Sequence, residues 1–299
     1  MRYSLEDETQ KVRNVTPVAA LSTKDLCESA SSTWTQIAIY YALACGVSWI
    51  VWTPLILGQD GLKLLSIAPS LPVVICMGTL GPLIACYVTH RLRTGNWRAV
   101  RLFPARGVRV LWLILGPMLV ISCFFLLLPA MISKGPPNAW RWHVAVLSGI
   151  LVPMFNYNLL GGPLFEEFGW RGFLQSRLQE VLPSPVAVVC AGILWATWHL
   201  PLFLVQGWSS APILAYFLIL IGLSTVMAFG FNASGKSVAV AILMHSAFNS
   251  SPRFLGAYLE GVPMREFPPG EWFLATSFLL CGAMLVIVTR GHLAAEKRH

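Results

Sequence analysis

A chain of 299 residues that is 56% hydrophobic and only 11% charged cannot form a soluble body. Ordinary soluble domains carry roughly 25% charged residues, whereas this chain has 21 basic and 13 acidic side chains to cover its whole surface. Soluble enzyme, nucleic-acid binder and secreted disulfide scaffold are excluded, and a polytopic membrane protein is specified. The formal net charge of +8 concerns orientation rather than a polyanion partner. Six arginines (Arg91, Arg93, Arg98, Arg101, Arg106 and Arg109) fall in one short segment without an acid. Beside an apolar run, that is the signature of a cytoplasmic loop, and no aromatic interleaving or binding motif suggests nucleic acid. Seven cysteines are scattered singly with no CxxC pair, so buried free thiols are expected.

Residues 1–33 are polar, with five acids and four bases. They carry no apolar signal core and read as a short N-terminal tail. A helix needs about 20 apolar residues to cross the hydrocarbon core. In chain order the candidate spans are Trp34–Gly58, Ser66–Thr89, Val110–Ile132, Val144–Leu164, Pro185–Val205, Ala211–Phe231, the shorter Val238–Ser250, and Trp272–Val288. Strand-like alternation is absent, and backbone amides in lipid must be satisfied within the element. The expected fold is therefore all-α: a membrane helical bundle of about eight transmembrane helices, forming one domain over 34–290 with a short tail at 291–299. Counted on this threading, 16 basic residues lie on the side of the arginine-rich loop and five on the other, which puts both termini in the cytoplasm. Trp140, Trp142, Trp208 and Trp272 lie near span ends, where indole rings prefer the interface.

Beyond the tail only eight acids remain, and six sit in loops, tails or an amphipathic extension. Glu166 and Glu167 instead follow an apolar run and precede Phe168-Gly169-Trp170-Arg171-Gly172. A carboxylate at mid-membrane costs on the order of 3 kcal/mol on insertion scales, so an adjacent pair requires a reason. Glu167 and Arg171, at i and i+4, can pair on one helix face. Glu166, about 100° around the helix, is left without a partner and free to face a cavity. Two histidines also lie inside apolar segments: His199, followed by Pro201, and His245, four residues before Asn249. Pro201 removes a backbone donor and is expected to open the helix beside His199, while His245 and Asn249 share a face.

Glu166-Glu167-x3-Arg171, then Trp195-x3-His199, then His245-x3-Asn249, resembles the CAAX-protease and bacteriocin-processing (CPBP) family, also called the abortive-infection family of intramembrane endopeptidases. The resemblance covers roughly residues 150–250, the expected catalytic core, and the surroundings of the motifs look like bacterial members, implying a multi-pass protein of the bacterial plasma membrane. One departure stands out: the second motif usually begins with Phe, and here that place is Trp195. An aromatic is kept, so packing is expected to survive beside a somewhat smaller pocket.

The resemblance implies peptide-bond hydrolysis within the bilayer. Glu166 is then the general base that activates water, His199 holds that water or shuttles its proton, and His245 with Asn249 stabilises the oxyanion. Glu167 and Arg171 orient the helix. Such donors count for much in a low-dielectric site. The implied substrate is a membrane-associated peptide or lipidated (CAAX-like) protein, or a leader peptide, with the lipid bilayer as surroundings and no nucleic acid. No cofactor is expected. Zinc held by Glu166, His199 and His245 is the alternative, although no HExxH motif is present. For the three side chains to meet, the helix bearing the glutamates must run on to about Gln175. Two other classes remain open on the residues alone, a proton-coupled transporter and a catalytically silent immunity or scaffold protein.

Overall fold

The computed structural model describes residues 23–95, 110–126, 159, 161–207, 209–259 and 270–295, with backbone alone at 23–31, 125, 206 and 252–259. Among these residues the regular elements are all helical. They are α1 (Thr23–Leu57), α2 (Leu71–Gly78), α3 (Leu80–Thr94), α4 (Trp112–Phe125), α5 (Pro163–Glu167), a π-helical segment (Phe168–Gln175), α6 (Ser176–Val181), α7 (Ser184–Trp198), α8 (Leu200–Gln206), α9 (Ser210–Ala233), α10 (Val238–Leu259) and α11 (Gly270–Val288). Four stretches are long and apolar enough to cross a membrane: Ser32–Leu57, Leu71–Thr94, Ser210–Ala233 and Gly270–Val288. Shorter apolar helices occupy Trp112–Phe124, Ser184–Trp198 and Val238–Ser251. This is a multi-pass helical membrane bundle. The expected fourth span lies mostly outside the described residues, as do Arg98, Arg101, Arg106 and Arg109 of the basic loop.

Several boundaries depart from the sequence reading: the second span is Leu71–Thr94 rather than Ser66–Thr89, and α10 runs to Leu259 rather than Ser250. Helix α1 begins at Thr23, so the last part of the polar tail is helical rather than irregular. The glutamates lie on a helical run that begins at Pro163, after a turn at 161–162, and passes through α5, the π-helical segment and α6 to Val181, rather than at the end of a span closing at Leu164. The span window ended at the first charges, yet those charges are buried, so the helix had no reason to leave the bundle there.

The core is apolar, yet large apolar side chains also line the outside, with Ile50, Leu92, Ile287 and Val288 about 70% exposed or more. Because lipid is as apolar as leucine, close packing rather than water exclusion holds such helices together. The π-helical segment illustrates this. A Cβ at Gly169 would stand 2.4 Å from the Tyr40 hydroxyl and 2.7 Å from the Pro82 carbonyl oxygen, so only glycine allows this approach to α1 and α3. Tyr40 in turn stacks on Phe173 (centroids 4.9 Å) and meets Trp170 edge-on (5.9 Å). The end of α7 is tied to α1 by Trp49, whose Nε1–H donates to the Trp198 carbonyl (2.9 Å), and by the Tyr41–Thr197 hydroxyl pair (2.5 Å). The cysteines whose side chains are described, Cys45, Cys76, Cys86, Cys123, Cys190 and Cys281, are free thiols.

Candidate active site

Helix α5 and the π-helical segment sit inside the bundle, against α3, α7, α9 and α10. Glycines at 169 and 172 weaken ordinary α-helical preference here, and π-helical turns occur mostly at functional positions. Ser176 steadies the wide turn by donating from Oγ to the Arg171 carbonyl (3.0 Å). As a result Glu166, Glu167 and Arg171 are all buried, with 4%, 0% and 2% exposure.

The expected Glu167–Arg171 pair is present, with Arg171 Nη1 donating to Glu167 Oε1 at 2.9 Å. That same oxygen accepts from His245 Nδ1 at 2.7 Å, reaching across from α10. Glu167 therefore joins two helices rather than serving its own alone. Arg171 completes its surroundings through Nη2, which faces Ser224 Oγ (3.4 Å) and Met227 Sδ (3.2 Å) on α9. Its guanidinium also lies over the Trp195 ring, 4.1 Å from the centroid. Buried charges persist only when paired and hydrogen-bonded in this manner, and a guanidinium over an indole adds a cation–π attraction.

Glu166 is not the unpartnered carboxylate expected from the sequence. Trp195 Nε1–H donates to its Oε2 at 3.0 Å. By sequence, Trp195 in place of Phe is an aromatic that keeps the packing and narrows the pocket. Trp also carries an N–H that Phe lacks, and in a buried site that donor decides. Trp195 also meets the His245 imidazole edge-on, with centroids 5.0 Å apart, and has the His199 ring at 6.1 Å. It thus meets Glu166, Arg171, His199 and His245, a role that only its N–H and its place four residues before His199 could have signalled.

His199 occupies the junction opened by Pro201: α7 ends at Trp198 and α8 begins at Leu200. Its Nδ1 lies 2.9 Å from the Trp195 carbonyl oxygen. A carbonyl can only accept, so Nδ1 carries the proton and Nε2 of the neutral ring is the lone-pair acceptor. Tyr216 of α9 packs edge-on against this imidazole at 5.3 Å. In His245 the Nδ1 is likewise committed, to Glu167, leaving Nε2 as its working nitrogen. Asn249 lies one turn beyond His245 on α10, and it is exposed whereas His245 is buried at 5%. The two do not share the same environment, although they share a helix face. Tyr40, absent from the sequence reading of the site, places a buried hydroxyl with no hydrogen-bond partner in the carboxylates' field. Among the described residues no group of three or more His, Cys, Asp or Glu side chains is placed to hold a metal ion.

A helical membrane bundle that gathers two buried carboxylates, a buried arginine, one buried and one half-buried imidazole around one indole defines a membrane protein with an internal polar site. Comparison with known proteins narrows the class over the same segment. The family model for Type II CAAX prenyl endopeptidase Rce1-like proteins matches residues 148–251. A CAAX prenyl protease 2 from Methanococcus maripaludis is 30% identical over 105 residues, covering 32% of this chain. The match spans 39% of that relative's length, about two-fifths of it. The resemblance to the CPBP family is thereby borne out over the segment that carries Glu166, Glu167, Arg171, Trp195, His199, His245 and Asn249.

Proposed function

We propose that this protein is an intramembrane endopeptidase that hydrolyses a peptide bond of a prenylated, CAAX-like peptide with a water activated by Glu166. The observation that carries the reading is the buried Glu166 carboxylate, held by Trp195 inside the same cluster as the Glu167–His245 pair. A buried carboxylate of this kind is suited to acid–base work. In the proposed step a water O–H bond breaks and its proton passes to Glu166. The water oxygen bonds to the scissile carbonyl carbon, and the carbonyl π pair moves to its oxygen. His199 Nε2 accepts a hydrogen bond from the same water. His245, held at Nδ1 by Glu167, offers Nε2 to the developing oxyanion as a donor when both ring nitrogens carry a proton. Asn249 supplies a further donor. The oxyanion pair then re-forms the carbonyl, the C–N bond breaks with its electron pair going to nitrogen, and the proton on Glu166 passes to that leaving amine.

The match to a CAAX prenyl protease 2 favours a prenylated substrate over a leader peptide, and the bilayer presents the lipid tail to the site. Purified protein in liposomes should release the C-terminal tripeptide from a farnesylated CAAX peptide and leave the unprenylated peptide largely uncut. Activity should survive a membrane-permeant chelator, because no step above requires an ion. Loss on chelation with recovery on adding zinc would instead make Glu166, His199 and His245 ligands. The basic-residue bias supports cytoplasmic termini, and a fusion reporter at Gly95 that read the opposite side would overturn that orientation.

A further inference from the structure

Glu166 has two carboxylate oxygens, and the structure treats them differently. Oε2 accepts the Trp195 Nε1–H at 3.0 Å. Oε1 lies over Gly162, where a Cβ would stand only 2.8 Å away. The glycine one turn earlier thus leaves room for the second oxygen, and the Glu166 amide is itself bonded to the Gly162 carbonyl at 2.9 Å. Trp195 cannot swing away from this task. Its ring is 2% exposed, capped by Arg171 at 4.1 Å and met edge-on by His245 at 5.0 Å. Its carbonyl also holds the Nδ1 of His199.

We propose that Trp195 is a positioning residue that fixes Oε2 of Glu166 through its indole N–H and so presents Oε1 to the attacking water. The inference rests on the reading of Glu166 as the base and deepens it. Phenylalanine, the usual residue at this place in the family's motif, cannot make this bond. Here the donor both orients the carboxylate and favours its ionised form, because a hydrogen bond to a charged group stabilises that charge. The charged and titratable groups acting on Glu166 are Glu167 and Arg171 on its own helix and His245 on α10. Tyr40 on α1 and Tyr216 on α9 also feel its charge. None of these is removed when residue 195 changes.

The test is Trp195→Phe, assayed in liposomes against a farnesylated CAAX peptide beside Glu166→Gln. Loss of one donor to a charged group should lower kcat about tenfold and move the acid limb of the pH–rate profile upward by about one unit, with KM within about twofold. A purely structural role for the ring would reduce the fraction of folded protein without moving the limb. If Trp195→Phe does not fold, replacement of Trp195 by benzothienylalanine, which puts sulfur in place of the N–H, carries the same expectation with the shape kept. A wild-type kcat and an unmoved limb, with Glu166→Gln inactive, would overturn the positioning role and leave the base standing. An active Glu166→Gln would overturn the base itself, and the positioning role with it.

Discussion

Glu167–Arg171 and Glu180–Arg177 are both acid–arginine pairs on the same continuous run of helix, at 2.9 and 2.7 Å. In the first pair the side chains are 0% and 2% exposed, and in the second 47% and 20%. The outer pair has the better local geometry, with Arg177 Nη1 bonded to both Glu180 oxygens. It is nevertheless the weaker, because water and salt screen it and two long side chains must be ordered to form it. The inner pair has no solvent to fall back on. Its oxygen serves His245 as well as Arg171, so disturbing one member strands charges on two helices. Distance does not rank the two pairs; burial does.

Substitutions can break this comparison directly. Arg171→Ala should be the most damaging, destabilising the folded protein by about 3 kcal/mol, as expected when one partner of a buried pair is removed. A detergent melting curve would report it. Glu180→Ala should cost less than about 1 kcal/mol and leave peptide cleavage at the wild-type rate. Equal stability losses at the two sites would mean that the inner pair is as well hydrated as the outer one.

Much of the site was legible because membranes make polar residues conspicuous. Glu166, Glu167, Arg171, His199 and His245 were picked out by their apolar neighbours, and the Glu167–Arg171 pairing followed from helical spacing. The break at His199 followed from Pro201. What escaped was contact between segments far apart in the chain. Nothing in the spacing within α10 shows that His245 faces Glu167, 78 residues earlier. The Trp195–Glu166 bond, across 29 residues, was hidden by treating an indole as bulk. The π-helical segment was also invisible, since the 3.6-residue period used to place Glu166 and Glu167 does not describe the turns that follow them. At the fold level, α9 and α11 were placed within a few residues because their apolar runs end at turns or charges. The glutamate-bearing helix begins at Pro163, where the apolar run gives way to charge, so hydropathy marks an end where the structure has a start.

The account depends above all on Glu166 as the group that takes the proton from water. Glu166→Gln keeps the length of the side chain and an oxygen that can accept the Trp195 N–H, but it removes the basic charge. Purified in detergent, its melting curve should overlay that of the unaltered protein. In liposomes its cleavage of a farnesylated CAAX peptide should fall by at least about a thousandfold, a loss on the order of 4 kcal/mol in transition-state stabilisation. A folded Glu166→Gln protein that cuts the peptide at the unaltered rate would contradict the account.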